Sequence, residues 1–451
     1  MQSIFKKENY KYIVLLACMF PYCMSTLVRW NYTSISGYLA TDLGIGKPEL
    51  GLLASVFFYG YTISQLPSGL AVDKLGGRWV MPMGVGLMGI FSVGFALSYS
   101  FEQAMVWRFL LGLVGATVYV PAVAILAKWF PSHQRGLANN IFNGFGGGLG
   151  EVIMFMLVPL MALISGAGLF GLSTWRLSTI IVAITIILIA IGAAVFLRSD
   201  PSDMGLPSIS KQEETKEESS SDEDYKSFCK RVFFSPALWG LGATWCGYII
   251  ATRLVLGWIA TYAAAYYMTV EHMSKGEAMV AGGGIASMYV VGRYIGAPLS
   301  GFLSDYLLKK YMVPRTAVLF VGLVIAAGLF AALAFIPPTK FILATLVFFC
   351  GLIFNFYSLV NACAAELWSS RGAGFSMGVI NTIAQLLGAM TLSASGFLAV
   401  KFAVKGGAFH TEYSGIWYFG IVVMVIAALA TIYMIKVERN VWYRRSLEKA
   451  K

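Results

Sequence analysis

Charge is what this 451-residue sequence has least of: Asp, Glu, Lys and Arg make up 12% of it, about half the share of an average soluble domain. Hydrophobic residues take 58%, and the mean hydropathy is +0.72. So little polar surface cannot cover a water-soluble globule, which excludes a soluble enzyme, a nucleic-acid binder and a disordered scaffold. Histidine is nearly absent. The three present (His133, His272, His410) fall outside the apolar runs, leaving no imidazole at membrane depth for catalysis or for a metal. Six cysteines (Cys18, Cys23, Cys229, Cys246, Cys350, Cys363) show neither metal-ligand spacing nor a compact disulfide framework, and they read as small apolar side chains. The glycine stretch 144–150 is no phosphate loop, since no strand precedes it and no Lys-Ser follows. No nucleotide, cofactor or metal is called for.

What the chain has in abundance is long apolar runs. A helix crosses the hydrocarbon core in roughly 20 apolar residues, and the sequence predicts twelve such helices. They lie near residues 12–38, 48–71, 79–99, 104–128, 137–163, 175–197, 234–266, 278–304, 316–336, 341–366, 373–400 and 414–435. Lys6, Lys7 and Lys11 precede the first run in the manner of a secretory signal, but no small-residue cleavage site follows it, so it reads as a retained helix. The one long polar stretch lies between the sixth and seventh runs and carries Glu213, Glu214, Lys216, Glu217 and Glu218; it reads as a solvated linker. The expected organisation is a six-helix bundle over residues 1–198, a linker over 199–232 and a second six-helix bundle over 233–451. With the N-terminus placed inside, roughly 23 of the 33 Lys and Arg residues fall on the cytoplasmic side, a strong positive-inside bias. That bias accounts for the net charge of +11 without an acidic partner, and it puts both termini in the cytoplasm.

The two halves repeat each other. Gly69-Leu-Ala-Val-Asp73-Lys-Leu-Gly-Gly77-Arg78 follows the second helix, and Gly301-Phe-Leu-Ser-Asp305 closes the eighth, with Lys309, Lys310 and Arg315 beyond. Trp129-Phe-Pro-Ser-His-Gln-Arg135-Gly136 follows the fourth helix, and Trp368-Ser-Ser-Arg371-Gly372 follows the tenth. Asp73 and Asp305 stand 232 residues apart, Arg135 and Arg371 236 apart. A parallel repeat of two six-helix halves with a Gly-x3-Asp-x4-Arg loop resembles the major facilitator superfamily. The resemblance implies an all-α membrane protein of twelve transmembrane helices in two pseudo-symmetric bundles. It also implies that Asp73, Arg78, Asp305 and Arg135 take part in latching the halves together in one state and releasing them in the other.

An ionisable residue at bilayer depth is costly and faces a cavity or a partner. Arg29 lies just past the centre of helix one and Arg253 just past the centre of helix seven. Arg293 falls near the middle of helix eight, and Glu151 near the middle of helix five. Three cations against one acid leave a positive surplus, whereas a purely structural network would be near neutral. A bound anion balances the surplus, and the planar fork of arginine suits carboxylate or phosphate. Polar residues in the cavity-lining helices, above all Tyr32 and Asn361, are candidates to hydrogen-bond the same anion. Glu151 reads two ways: a proton carrier, or a fixed partner of an arginine that sets helix packing.

Val28-Arg29-Trp30-Asn31 resembles the helix-one Arg-x-Asn of organophosphate:phosphate antiporters of the glycerol-3-phosphate transporter type. Arg253 with Trp258-Ile-Ala-Thr261-Tyr262 resembles that family's helix seven. Leu197-Arg198-Ser-Asp200-Pro201 onward resembles the opening of its linker, and Arg135-Gly136 with Asn143 and Gly146-Gly147-Gly148 echoes its fifth helix. In that family the two arginines clamp phosphate at the pseudo-symmetry axis. This chain departs from the pattern in having Trp30 where a second basic residue is usual, Gly146 near the place of a histidine, and Glu151 and Arg293 in addition. It also lacks, near Gly115, the helix-four acid of the related anion:cation symporters. The resemblance implies a secondary transporter of small organic anions (organophosphate, carboxylate or sulfonate) working by alternating access. Inorganic phosphate or a proton is the expected coupling ion. The expected setting is a bacterial inner membrane, with a monomer as the working unit. The alternatives are proton-coupled symport through Glu151, or an anion sensor on the same scaffold that does not transport.

Overall fold

In lipid a backbone N–H or C=O has no water to bond, so an apolar run must satisfy its polar groups internally, and a helix does this within one segment. The computed structural model describes residues 9–131, 134, 138–139, 141–164, 172–206, 225–403 and 409–449, and among these there is no strand. Thirteen α-helices are described: α1 (Tyr10–Leu43), α2 (Lys47–Leu75), α3 (Gly77–Ala96), α4 (Phe101–Trp129), α5 (Gly148–Ile164), α6 (Thr174–Phe196), α7 (Tyr225–Phe233), α8 (Pro236–Thr269), α9 (Lys275–Tyr311), α10 (Arg315–Phe335), α11 (Lys340–Phe354), α12 (Ser358–Lys401) and α13 (Ser414–Lys449). Starts are set by hydroxyls: Ser100, Ser235, Ser274 and Thr339 each accept a hydrogen bond from a backbone N–H of the following first turn, as N-caps do. Gly44 ends α1 in the left-handed region (φ 64°), where a Cβ would be strained.

Two compact units emerge. The first comprises Met1–Gly46 and Leu52–Asp222, the second Lys47–Gly51 and Glu223–Lys451. Within the first, α2 and α4 approach backbone to backbone. A Cβ on Gly60 would strike the Phe109 carbonyl, and one on Gly112 the Phe57 carbonyl. Within the second, α9 and α11 do the same: Gly292 abuts the Phe348 carbonyl and Gly351 the Tyr289 carbonyl. Gly60 and Gly292 stand at the spacing that separates Asp73 from Asp305. Small residues at such crossings are how membrane helices pack without a hydrophobic drive between them.

Nine helical stretches among the described residues are long and apolar enough to cross a membrane. The other three expected spans are helical too: α2 and α9 are diluted by Gly, Ser and Tyr, and the described part of α5 counts 17 residues after a π-helical turn, Phe142–Gly147. The expected loop at Trp368–Gly372 is a difference. α12 is helical through it for 44 residues without a proline to stop it, and the crossing windows fall on either side, Lys340–Trp368 and Phe375–Lys401. At the tenth span's midpoint the α11–α12 path is interrupted instead by a 3₁₀ turn, Asn355–Tyr357, where the Asn355 side chain donates to the Gly351 carbonyl at 2.7 Å.

Candidate functional site

In the first unit the site is built on α1. Arg29 sits just past the middle of this 34-residue helix and is partly buried, its guanidinium carbon 4.9 Å from the ring centre of Tyr61 on α2. It forms no ion pair among the described residues, and its buried Nε has no hydrogen-bond partner there. The same holds for Ser25 Oγ, Thr26 Oγ1 and Thr33 Oγ1, which share one face of α1 with Arg29 by their three- and four-residue spacing. Buried polar atoms are ordinarily bonded, and these four have no hydrogen-bond partner among the described residues. Asn31 is turned to another face, and its side-chain amide lies 3.4 Å from Thr179 of α6.

A fourth interior cation, beyond Arg29, Arg253 and Arg293, belongs here. Arg108, seven residues into α4, is 1% exposed. It donates from Nε to the Leu53 carbonyl (3.3 Å), from Nη1 to that of Val28 (3.4 Å) and from Nη2 to that of Arg29 (3.4 Å). Its carbon lies 4.9 to 5.9 Å from the rings of Phe57, Tyr32 and Phe95. Three carbonyl dipoles and three aromatic faces stand in for a counter-ion. The count of three interior cations is therefore corrected to include Arg108. Only about 10 Å of helix separates it from the end of α4, a distance over which an arginine ordinarily reaches water by extending, but this one points inward. Tyr32, 3% exposed, lies beneath that guanidinium.

Glu151 stands in the first turn of α5 and is 4% exposed. Its helix reaches α1 through glycine: a Cβ on Gly150 would strike the Cys23 carbonyl, and Gly146 and Gly147 lie against Met19 and Tyr22. Tyr22 stacks on Phe142 of the π turn, ring centres 4.6 Å apart. Single π turns inside α-helices are frequent at functional sites.

In the second unit the counterpart is α8, also of 34 residues, with Arg253 just past its middle and 6% exposed. Its Nη2 donates to Gln385 Oε1 of α12 at 2.5 Å, and Gln385 Nε2 donates to Asn381 Oδ1 at 3.4 Å. Gly388, one turn on, leaves room for the Arg253 stem. The Trp258 indole donates to Ser395 Oγ at 2.9 Å, tying the other end of α8 to α12. Arg293 is partly buried on α9, between Gly292 and Gly296, which face α11. Asn361 is exposed on α12.

Toward the linker end, the second unit holds a closed charge network. Arg315 pairs with Asp305 at 2.6 Å and with Glu366 at 2.7 Å, and donates to Ser304 Oγ at 2.8 Å. Buried Glu438 accepts from the backbone N–H groups of Arg315 and Thr316 (both 3.0 Å) and from the Thr316 hydroxyl (2.6 Å). Asp305 and Arg315 stand out in the sequence; Glu366 and Glu438 do not, because they fall at or beyond the ends of the expected apolar runs, where acids are ordinarily solvated. In the first unit Arg78 lies over Trp79, its backbone N–H donates to Ser199 Oγ at 3.0 Å, and its buried Nε has no hydrogen-bond partner among the described residues. Asp73 lies in α2, its side chain outside the description, and Arg135 lies outside the described residues altogether. Among the described residues no group of His, Cys, Asp and Glu can hold a metal ion.

Comparison with known proteins agrees with this architecture. A probable hexose phosphate transport protein of Chlamydia pneumoniae is 24% identical over 82% of each chain. The membrane sensor protein UhpC of Escherichia coli is 23% identical over 83% of this chain and 82% of its own. Among solved structures, a bacterial homologue of the human lysosomal transporter Spinster, inward-facing and unoccupied, superposes with a TM-score of 0.74 at 18% identity, covering 96% of this chain and 98% of that one. Residues 18–392 match the family model described as the Major Facilitator Superfamily. That match takes in both arginine-bearing helices and most of the chain, and this protein belongs to the Major Facilitator Superfamily, a family of multi-pass membrane transporters rather than enzymes.

Proposed function

We propose that this transporter carries small organic anions, organophosphates first and carboxylates or sulfonates next, with Arg29 of one half and Arg253 of the other holding the anion. The observation that carries the reading is the face of α1 on which Arg29 Nε and three neighbouring hydroxyls are buried without protein partners among the described residues. Arg253 sits at the matching depth of a matching helix and donates to Gln385. A phosphate, carboxylate or sulfonate oxygen is an acceptor that a guanidinium favours. The relative named for hexose phosphate transport supports the phosphate class. Arg293 supplies a further positive charge in the second half, and Tyr32 and Asn361 are assigned hydrogen bonds to the substrate. The mechanism is alternating access: a bound anion cancels the repulsion between the arginines and lets the halves exchange the side on which the site opens. Asp73, Arg78, Asp305 and Arg135 form and release contacts as they do so. No nucleotide motif exists, so a gradient of inorganic phosphate or protons drives the cycle, with Glu151 the proton carrier in the second case. The loop charge bias supports a bacterial inner-membrane setting with both termini cytoplasmic.

The test is flux. Purified protein in phosphate-loaded liposomes is offered labelled glycerol phosphate, hexose phosphate, mono- and dicarboxylates and sulfonates, with and without a proton gradient. Uptake of one anion class, accelerated by internal phosphate or by the gradient, is the expected result. A second reading follows from the likeness to a membrane sensor: saturable binding of that class with no flux under either gradient would make the protein a sensor. Neither binding nor flux of any anion in the panel would overturn both readings.

A further inference from the structure

The second unit contains a crevice of about 410 Å³ between α8, α12 and α13, and it has no charged, amide or hydroxyl-bearing side chain in its lining. Leu238, Gly242 and Ala243 on α8, Ile380 and Ile383 on α12, and Ile426 on α13 form its walls. Nothing there can bind a small anion. At its edges Trp239, Leu387 and Ile426 are 48%, 39% and 60% exposed, and all three helices contain membrane-crossing stretches. In a bilayer such a slot is filled by hydrocarbon.

Its lower end is built differently. Leu238 and Trp239 open α8 immediately after the short amphipathic helix α7, whose Val232 is buried while Lys230 and Arg231 are exposed. The Trp239 indole donates to the Phe233 carbonyl at 3.0 Å, fixing the end of α7 over the mouth of the crevice. Phe233, Phe234 and Trp239 form an exposed aromatic cluster with ring centres 5.4 and 5.6 Å apart. On the other flank, Gly240 of α8 abuts Tyr433 and Met434 of α13, and Lys436, two residues further, is exposed. Aromatic rings at headgroup level beside basic residues are the signature of an interfacial anchor, and basic clusters next to a spanning helix attract anionic headgroups.

We propose that this is a site for one anionic phospholipid of the leaflet on the linker's side, which the loop charges assign to the cytoplasm. An acyl chain lies in the α8–α12–α13 crevice, and the phosphate lies against Lys230, Arg231 and Lys436. The first unit has an apolar crevice of about 480 Å³ between α1 and α6, lined by Ile13, Leu16, Phe20 and Leu188 among others, and Lys11, near one end, is turned to protein groups. Lys11 donates to Gln134 Oε1 at 3.1 Å and rests on the rings of Tyr12 and Phe130. The inference does not depend on the identity of the transported anion, because it concerns a surface on the outside of one half.

Native mass spectrometry of the purified full-length protein, titrated with phosphatidylglycerol or with phosphatidylcholine of the same chains, reads it directly. The expected result is one retained phosphatidylglycerol, preferred at least about tenfold over phosphatidylcholine. The exposed double variant Lys230→Gln/Arg231→Gln should erase most of that preference, at about fivefold per charge removed. Gly242→Leu fills the crevice, and a Cβ there meets Ile380 at an ordinary 3.5 Å; it should weaken both lipids while keeping the preference. A short-chain phosphatidylglycerol should bind the unaltered protein more weakly than the long-chain form, which tests the crevice without a substitution. Equal retention of the two lipids, or a preference that survives the double variant, or indifference to chain length, would overturn the proposal.

Discussion

The two halves carry an arginine at the same depth of the same helix but surround it differently. Arg29 lies on the Tyr61 ring among polar atoms without described partners, and its backbone carbonyl is held from behind by the buried Arg108. Arg253 is held at its tip, by Gln385 of α12, which in turn bonds Asn381. The second half has no counterpart to Arg108: α11, which occupies the place of α4 in the repeat, has no charged residue after Lys340. At the linker end the second half closes Arg315 with Asp305 and Glu366, and in the first half Arg78 stacks over Trp79. A duplicated sequence has therefore kept its backbone geometry, visible in the matching glycine crossings, while its charges have diverged. One half fixes its arginine through the main chain and the other through a side chain.

The comparison can be broken most severely at Arg108. Replacing it by Gln removes three hydrogen bonds from a charged donor to carbonyls of α1 and α2, at an expected cost of about 3 kcal/mol. It should also weaken anion binding through Arg29, although Arg108 is assigned no contact with the substrate. Thermal unfolding and ligand titration of the same variant check both, and the conservative Arg108→Lys should restore stability better than binding. Next in size are the glycine crossings. Gly112→Ala and Gly351→Ala should each destabilise by about 2 kcal/mol through overpacking against a carbonyl. Unequal losses on thermal unfolding would show that the repeat in backbone packing is only superficial.

The linker-end contrast predicts a smaller, signed difference. Arg315→Gln should cost about 1.5 kcal/mol, because the arginine is largely buried while Asp305 is half exposed and screened. Arg78→Gln should cost about 0.5 kcal/mol, the worth of its stacking over Trp79. Equal losses in thermal unfolding would erase the distinction. Smallest is Gln385→Ala, which removes the neutral acceptor from Arg253 and should lower anion affinity about threefold. Gln385→Glu should lower it further, by neutralising the cation. A titration in which the Glu variant binds better than the Ala variant would sink the assignment of Gln385 as a positioning residue.

Much of this was legible in the sequence, for physical reasons that differ by residue. Hydropathy marks the spans because lipid forbids an unpaired backbone, and duplicated Asp and Arg motifs mark the halves. Arg29 and Arg253 were legible from depth alone, each far from either end of a long apolar run. Arg108 was not, because a residue seven positions from a helix end can turn toward water or inward, and only the aromatic rings of Tyr32, Phe57 and Phe95 decide it. Asp305 and Arg315 were visible as a charged cluster. Glu366 and Glu438 were not, because pairing between helices distant in sequence leaves no local pattern. The unbroken α12 escaped for a similar reason: Arg371-Gly372 looks like a loop, and its glycine permits a turn without requiring one.

The central claim is that one anion is held by both arginines, and ligand-induced thermal stabilisation of the purified protein tests it most directly. A panel of phosphates, sulfonates and carboxylates is run against the unaltered protein, Arg29→Gln and Arg253→Gln. One anion class should stabilise the unaltered protein and neither variant, with affinity falling at least about a hundredfold in each, the loss of two charge-assisted hydrogen bonds. Stabilisation by that class that survives either substitution would contradict the clamp and return that arginine to a structural role.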